Sequence, residues 1–365
     1  MINNSRSLSA KTHLDIPLLI ALLLLCSIGL LVLYSAADQR MDVVIRQITR
    51  IGIGLTGMCV IAQFPMRTII RWAPWLFGLG LIMLVAVMFV GYTGKGAQRW
   101  LDLKFMKFQP SEVMKIAVPM MIAWYLNEKP APPSFQSVFM VLILIAVPVV
   151  LVAKQPDLGT SILIAASGGF VLFLSGLRWR IIFAAILAGL AAAPLLWHVM
   201  KDYQKQRVLT LFDPEKDPLG AGYHIIQSKI AVGSGGLFGK GWLNGTQSQL
   251  GFLPERTTDF IFAVFCEEFG FLGVLALMAL YCFIILRCLY IAKVAQGTFA
   301  RLVSGSLALT FFTYVFVNMG MVTGQLPVVG VPLPLISYGG TSLVTLLLGF
   351  GLIMSAFTHR QLMSR

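Results

Sequence analysis

About ten stretches of this chain are apolar for long enough to cross a bilayer as helices, and that repetition leaves little freedom in what it can fold into. They begin near Leu18, Ile48, Trp75, Pro110, Ser137, Gly159, Ile181, Asp259, Leu302 and Ser342. Crossing about 30 Å of hydrocarbon takes about 20 predominantly apolar residues per helix. Composition agrees, with 58% hydrophobic and 12% charged residues and a mean hydropathy of +0.83, far from the balance of a water-soluble domain. The expected fold is an all-α polytopic membrane protein, a single membrane domain over residues 1–365. It has about ten transmembrane helices and a large extracytoplasmic loop, about 199–258, between the seventh and eighth.

The first run follows Arg6 and Lys11 and precedes Ser35-Ala36-Ala37, which raises a cleaved signal peptide. Its apolar core is too long for that and reads as the first span. An even number of spans puts both termini on one side, and Arg6, Lys11, Arg360 and Arg365 assign that side to the cytoplasm. The short loops predicted inside carry Arg67, Arg71, Lys129, Arg178, Arg180, Arg287, Lys293 and Arg301. The opposite side breaks the rule, because Arg40, Arg46, Lys95, Arg99, Lys104, Lys154, Lys201, Arg207, Lys240 and Arg256 fall there. Either the topology is inverted, or the outer face needs cations for an anionic lipid headgroup or a pyrophosphate. The net charge of +13 is spread over many loops rather than gathered in one patch, which argues against nucleic-acid binding.

The five cysteines, Cys26, Cys59, Cys266, Cys282 and Cys288, fall in apolar runs and read as core-filling thiols. The four histidines are far apart, and no phosphate-cradling lysine motif follows a strand. Neither a protein-built zinc or haem site nor ATP-driven chemistry is indicated.

Polar residues inside membrane runs are costly to hold and mark function. The first candidate is Asp259, in Phe252-Leu253-Pro254-Glu255-Arg256-Thr257-Thr258-Asp259-Phe260. Pro254 suits a helix entry, and Thr257 or Thr258 is expected to cap the first turn with Asp259 just inside it. The helix dipole would then favour its ionised form. That suits a general base at the membrane surface, or simply a helix cap. Glu112 and Lys115 are three apart on the helix opened by Pro110 and share a side, as a functional or a self-neutralising pair. Asp157 is a capping residue and a weaker candidate. Glu267 and Glu268 lie deeper on the Asp259 helix, with Glu267 turned toward the same side. The glycine-rich segment 233–241 reads as part of a folded lid, with tight turns and substrate contact both open. The prolines of 324–334 forbid a regular helix, so that segment is expected to wall a cavity.

In order along the chain, Lys95 to Trp100, Phe108 to Lys115, Gln155 to Thr160, Asp213 to Lys229, Leu253 to Phe262 and Pro327 to Gly340 resemble the SEDS (shape, elongation, division and sporulation) family of bacterial membrane glycosyltransferases. The likeness is closest to its cell-elongation member and covers nearly the whole chain. One departure is Thr257, where the elongation member often has a histidine. The resemblance implies a multi-pass protein of the bacterial inner membrane that polymerises lipid II, the undecaprenyl-pyrophosphate-linked disaccharide pentapeptide. The family's essential aspartate falls on Asp259, as base for the acceptor hydroxyl. Lys115, Arg99, Arg46, Arg207 or Lys240 would hold the pyrophosphate, Glu112 and Glu267 would also face substrate, and a divalent cation, Mg or Mn, would fit there. The implied partners are a class B penicillin-binding protein and the elongation machinery. A lipid II flippase is the main alternative, with Glu112 and Glu267 as proton relays, and a binding scaffold is the third.

Overall fold

The computed structural model describes residues 13–94, 97–102, 107–200, 202–216 and 220–358. The terminal cations Arg6, Lys11, Arg360 and Arg365, and the loop cations Lys95, Lys104 and Lys201, lie outside them.

Helices dominate. They are α1 (Ile16–Ala36), α2 (Met41–Gln63), α3 (Met66–Val90), α4 (Pro110–Leu126), α5 (Phe135–Lys154), α6 (Leu158–Leu174), α7 (Trp179–Val199), α8 (Asp202–Phe212), α9 (Ala221–Ser234), α10 (Thr246–Gln249), α11 (Ile261–Val294), α12 (Thr298–Val322) and α13 (Thr341–Thr358). Among the described residues, seven of these, α1, α2, α3, α5, α11, α12 and α13, are long and apolar enough to cross a membrane. The remaining predicted runs are occupied by α4, α6 and α7. Large apolar side chains face outward along the bundle, among them Trp75, Phe89, Phe135 and Leu187, an arrangement that suits hydrocarbon rather than water.

One expectation needs correcting, because the protein is not purely helical. Between α3 and α4 the chain forms a three-stranded antiparallel sheet, β1 (Tyr92–Gly94), β2 (Ala97–Asp102) and β3 (Lys107–Phe108). The connection between α7 and α11 is likewise no plain loop, since it carries α8, α9 and α10.

The core is one large apolar cluster with two small ones beside it, built where α13 packs on α2, α11 on α1 and α12, and α12 on α4 and α6. Asp15 caps α1 by accepting from the Leu18 N–H at 3.0 Å and forms a two-pronged pair with Arg287 of α11, at 3.1 and 2.7 Å. A buried charge without such a partner would cost several kcal/mol.

A break inside α11 shapes the loop side of the molecule. Gly270 sits at φ 63°, ψ −166°, a region open essentially to glycine alone. The backbone groups this break would orphan are taken up by the glycine-rich segment. Lys240 and Gly241 donate to the Glu267 and Glu268 carbonyls, each at 3.0 Å, while Phe271 and Leu272 donate to Gly236 and Leu237 at 2.9 and 3.1 Å. The approach is so close that a Cβ on Gly239 would lie 2.2 Å from the Glu268 oxygen. Here glycines of 233–241 serve backbone docking.

Candidate functional site

Asp259 belongs to a turn that its neighbours hold from three directions. Glu255, at φ 50°, accepts from the N–H groups of Thr258 and Phe260 at 3.0 and 3.3 Å. The next carbonyls along the chain are then claimed by other segments. Tyr338 N–H donates to the Thr257 oxygen at 2.8 Å, Ser337 Oγ to Thr258 at 2.6 Å, and Asn318 Nδ2 to Asp259 at 2.8 Å. Asn318, fully buried on α12, also donates to Val331 at 2.7 Å, tying the Asp259 turn to the proline-rich segment.

The helix entry differs from expectation. The first residue of α11 is Ile261, its N-cap is Phe260, and no side chain caps it. Asp259 therefore lies just before the helix rather than in its first turn. Thr258 Oγ1 instead donates to Glu255 Oε2 at 2.9 Å. The positive-φ turn at Glu255 takes the Phe260 N–H that a cap at Thr257 or Thr258 would have bonded. The carboxylate still stands at the helix N-terminus, where the dipole favours negative charge.

A cavity of about 350 Å³ opens beside Asp259, lined also by Arg99, Glu112, Lys115, Asp157, Tyr314 and Tyr338. Gly330, in the left-handed region at φ 73°, lies so close that a Cβ there would sit 3.5 Å from Asp259 Oδ2. The expected wall from the proline-rich segment is thus present, with Gly330, Val331 and Pro332 facing the cavity.

Two ionic groups complete the lining. Lys115 Nζ donates to Glu112 Oε1 at 2.6 Å and to the Tyr314 hydroxyl, with Glu112 and Lys115 only 5% and 6% exposed. The second group centres on Asp157, which caps α6 through the Thr160 N–H at 3.2 Å. It also accepts from Gln109 Nε2 at 3.1 Å. Arg99, carried in by β2, donates to the Gln155 and Pro156 carbonyls and lies 3.9 Å from Asp157 Oδ2.

Of the residues singled out by sequence, Asp259, Glu112, Lys115 and Arg99 meet in this cavity. Arg46 does not line it and is exposed, paired with Asp42 at 2.5 Å. Arg207, on α8, does not line it.

Glu267 and Lys240 do not line this cavity. Glu267 is fully buried and accepts from Lys240 Nζ at 2.8 Å, Thr246 Oγ1 at 3.1 Å and the N–H groups of Gln247 and Ser248 at 2.9 and 3.3 Å. The pair fastens the α9–α10 region to α11 rather than facing the cavity. A helical wheel located the face of Glu267 but could not show that the returning loop covers that face.

Sequence reading passed over Tyr314, Gln109 and Asn318. A solitary amide in the apolar run Val317-Asn318-Met319 was the available signal, because such a group in a membrane helix needs a partner.

Among the described residues no three His, Cys, Asp or Glu side chains converge as a ligand set. Glu112 and Asp157 direct oxygens to Lys115, Gln109 and the Thr160 N–H. These residues do not fit a protein-built metal centre.

Fold and cavity together define a polytopic, mostly helical membrane protein with Arg99, Glu112, Lys115, Asp157 and Asp259 gathered in a chamber at one end of the bundle. The cell cycle protein family model covering FtsW, RodA and SpoVE matches residues 15–362, and the chain belongs to that family, the SEDS family. It is 57% identical to the peptidoglycan glycosyltransferase MrdB of Escherichia coli K12 over 363 residues, covering 99% of this chain and 98% of that one. Among solved structures, it resembles a chain of a peptidoglycan synthase complex that coordinates polymerization and crosslinking, with a TM-score of 0.82, 33% identity and coverage of 93% and 96%. It also resembles the rod shape determining protein RodA of Thermus thermophilus, with a TM-score of 0.73, 29% identity and coverage of 95% and 98%.

Proposed function

We propose that this protein is a peptidoglycan glycosyltransferase that polymerises lipid II, with Asp259 as the base. The observation that carries this reading is that one chamber holds the Asp259 carboxylate together with the cations Arg99 and Lys115. Asp259 takes the proton from the 4-hydroxyl of the acceptor N-acetylglucosamine as that oxygen bonds to the anomeric carbon of the donor N-acetylmuramic acid. The bond from that carbon to undecaprenyl pyrophosphate breaks on the opposite face, so the anomeric centre inverts.

Negative charge grows on the departing pyrophosphate, and positive groups aimed there lower the barrier. An ammonium has three donors, and Lys115 directs two of them to Glu112 and Tyr314. The third is available to a phosphate oxygen. Arg99, partly exposed on β2, supplies a second charge. A Mg or Mn ion at the pyrophosphate would have to rely chiefly on the substrate's own oxygens.

With α4, α6 and α7 also spanning, ten helices cross the bacterial inner membrane, both termini are cytoplasmic and the Asp259 chamber opens outside. The likeness to a chain of a polymerising and crosslinking complex supports a class B penicillin-binding protein as partner, within the elongation machinery.

The rival is a lipid II flippase. Detergent separates the two, since it leaves no bilayer to cross. The purified protein with its partner is expected to convert lipid II to glycan strands in detergent. Movement of labelled lipid II between vesicle leaflets, with no polymer under any partner or ion condition, would establish the carrier instead.

A further inference from the structure

At the end of the bundle opposite Asp259, a cleft of about 300 Å³ opens between α4, α6, α11 and α12. Arg301 marks its depth, because α12 rises about 25 Å from there to Asn318, which holds the Asp259 carbonyl. Three exposed cations stand round the cleft, Lys129 just beyond α4, Lys293 in the last turn of α11 and Arg301 in the first turn of α12. Among the described residues no carboxylate forms an ion pair with any of them.

The walls behind these cations are apolar, formed by Leu174, Leu289 and Leu302. Gly305 sets the depth of the floor, since a Cβ there would meet Leu174 Cδ1 at 2.6 Å. The α12 N-terminus opens on the same rim through Thr298, and its N-cap Gly297 provides no side-chain acceptor. Helix N-termini favour anions. Close by, Trp179 is 67% exposed between Arg178 and Arg180 and packs edge-on against Phe173 at 6.5 Å. A tryptophan so placed marks the boundary between headgroups and hydrocarbon.

We infer that this cleft binds an anionic membrane phospholipid, its phosphate held by Lys129, Lys293 and Arg301 and its acyl chains laid along Leu174, Leu289 and Leu302. A general excess of inner-loop cations explains positive charge near the membrane. It does not explain three such charges converging on a cleft whose walls are apolar. Basic pockets between membrane helices are suited to anionic headgroups.

The test is native mass spectrometry of the purified full-length protein with phosphatidylglycerol and, separately, phosphatidylcholine. Wild-type protein is expected to retain phosphatidylglycerol about tenfold or more over phosphatidylcholine, as one or more charge-assisted contacts would give. Lys129→Gln combined with Arg301→Gln should remove that preference. Arg67→Gln with Arg71→Gln, which deletes two cations lining the neighbouring cleft at the same end, should keep it. If the first double variant does not fold, Lys293→Gln alone is expected to weaken the preference about tenfold. Undiminished preference in the cleft variants, or equal loss in the control, would overturn the proposal. So would displacement of the bound lipid by an excess of soluble glycerol phosphate, which would leave the apolar walls without a part, or retention of lipid II in preference to phosphatidylglycerol.

Discussion

At the scale of single residues, the site separates a rigid backbone from a reactive side chain. Asn318, Ser337 and Tyr338 fix the carbonyls of Asp259, Thr258 and Thr257, so the carboxylate is aimed by bonds that its own chemistry does not disturb. Asn318→Leu removes the bonds to the Asp259 and Val331 carbonyls, at about 1–3 kcal/mol each, and is expected to lower both thermal stability and polymerisation. The Lys115 side chain has two tasks that mutation can divide. If it touches pyrophosphate, Lys115→Met should weaken lipid II use by about ten- to a hundredfold, the value of one charge-assisted contact of about 1.5–3 kcal/mol. Because that change also strands Glu112 in a buried position, the informative protein is Glu112→Gln with Lys115→Met. Yield and polymerisation are measured together. A double variant that is stable and fully active would reduce Lys115 to a structural partner of Glu112.

Among elements, the junction of α11 with the glycine-rich segment fixes how the α7–α11 connection is held. Gly270→Ala places a side chain in a backbone region closed to it and 2.2 Å from the Gly239 nitrogen. The expected result is release of the 236–241 segment, read as faster tryptic cleavage after Lys240 in otherwise folded protein. Glu267→Ala removes a fully buried carboxylate that gathers Lys240, Thr246 and two N–H groups. It should destabilise the protein by about 3 kcal/mol, with a lowered unfolding midpoint as the readout. Unchanged stability would mean the clamp has no energetic weight. The apolar runs and the irregular proline segment were legible in sequence because they depend on local length and on proline's missing donor. The small sheet, the N-cap at Phe260 and the covering of Glu267 were not. Each depends on a backbone pairing or a returning segment that no local pattern records.

At the scale of the whole molecule, the chain is organised by its two ends. At one, the α3–α4, α5–α6, α7–α11 and α12–α13 connections meet round Asp259. Here the sequence places cations that a simple charge rule would put on the other side. The opposite end carries Lys129, Lys293 and Arg301 round a separate cleft. An anionic substrate at the first end accounts for its charge without inverting the molecule. Under the proposed function, chemistry takes place there rather than passage through the bundle. Asp259→Asn tests that claim most directly, because the amide keeps the shape of the side chain and loses its basicity. Measured as glycan-strand formation from lipid II by the purified protein with its partner, the variant should be folded, correctly inserted and slower by orders of magnitude. Near-normal strand synthesis by well-folded Asp259→Asn protein would contradict the account.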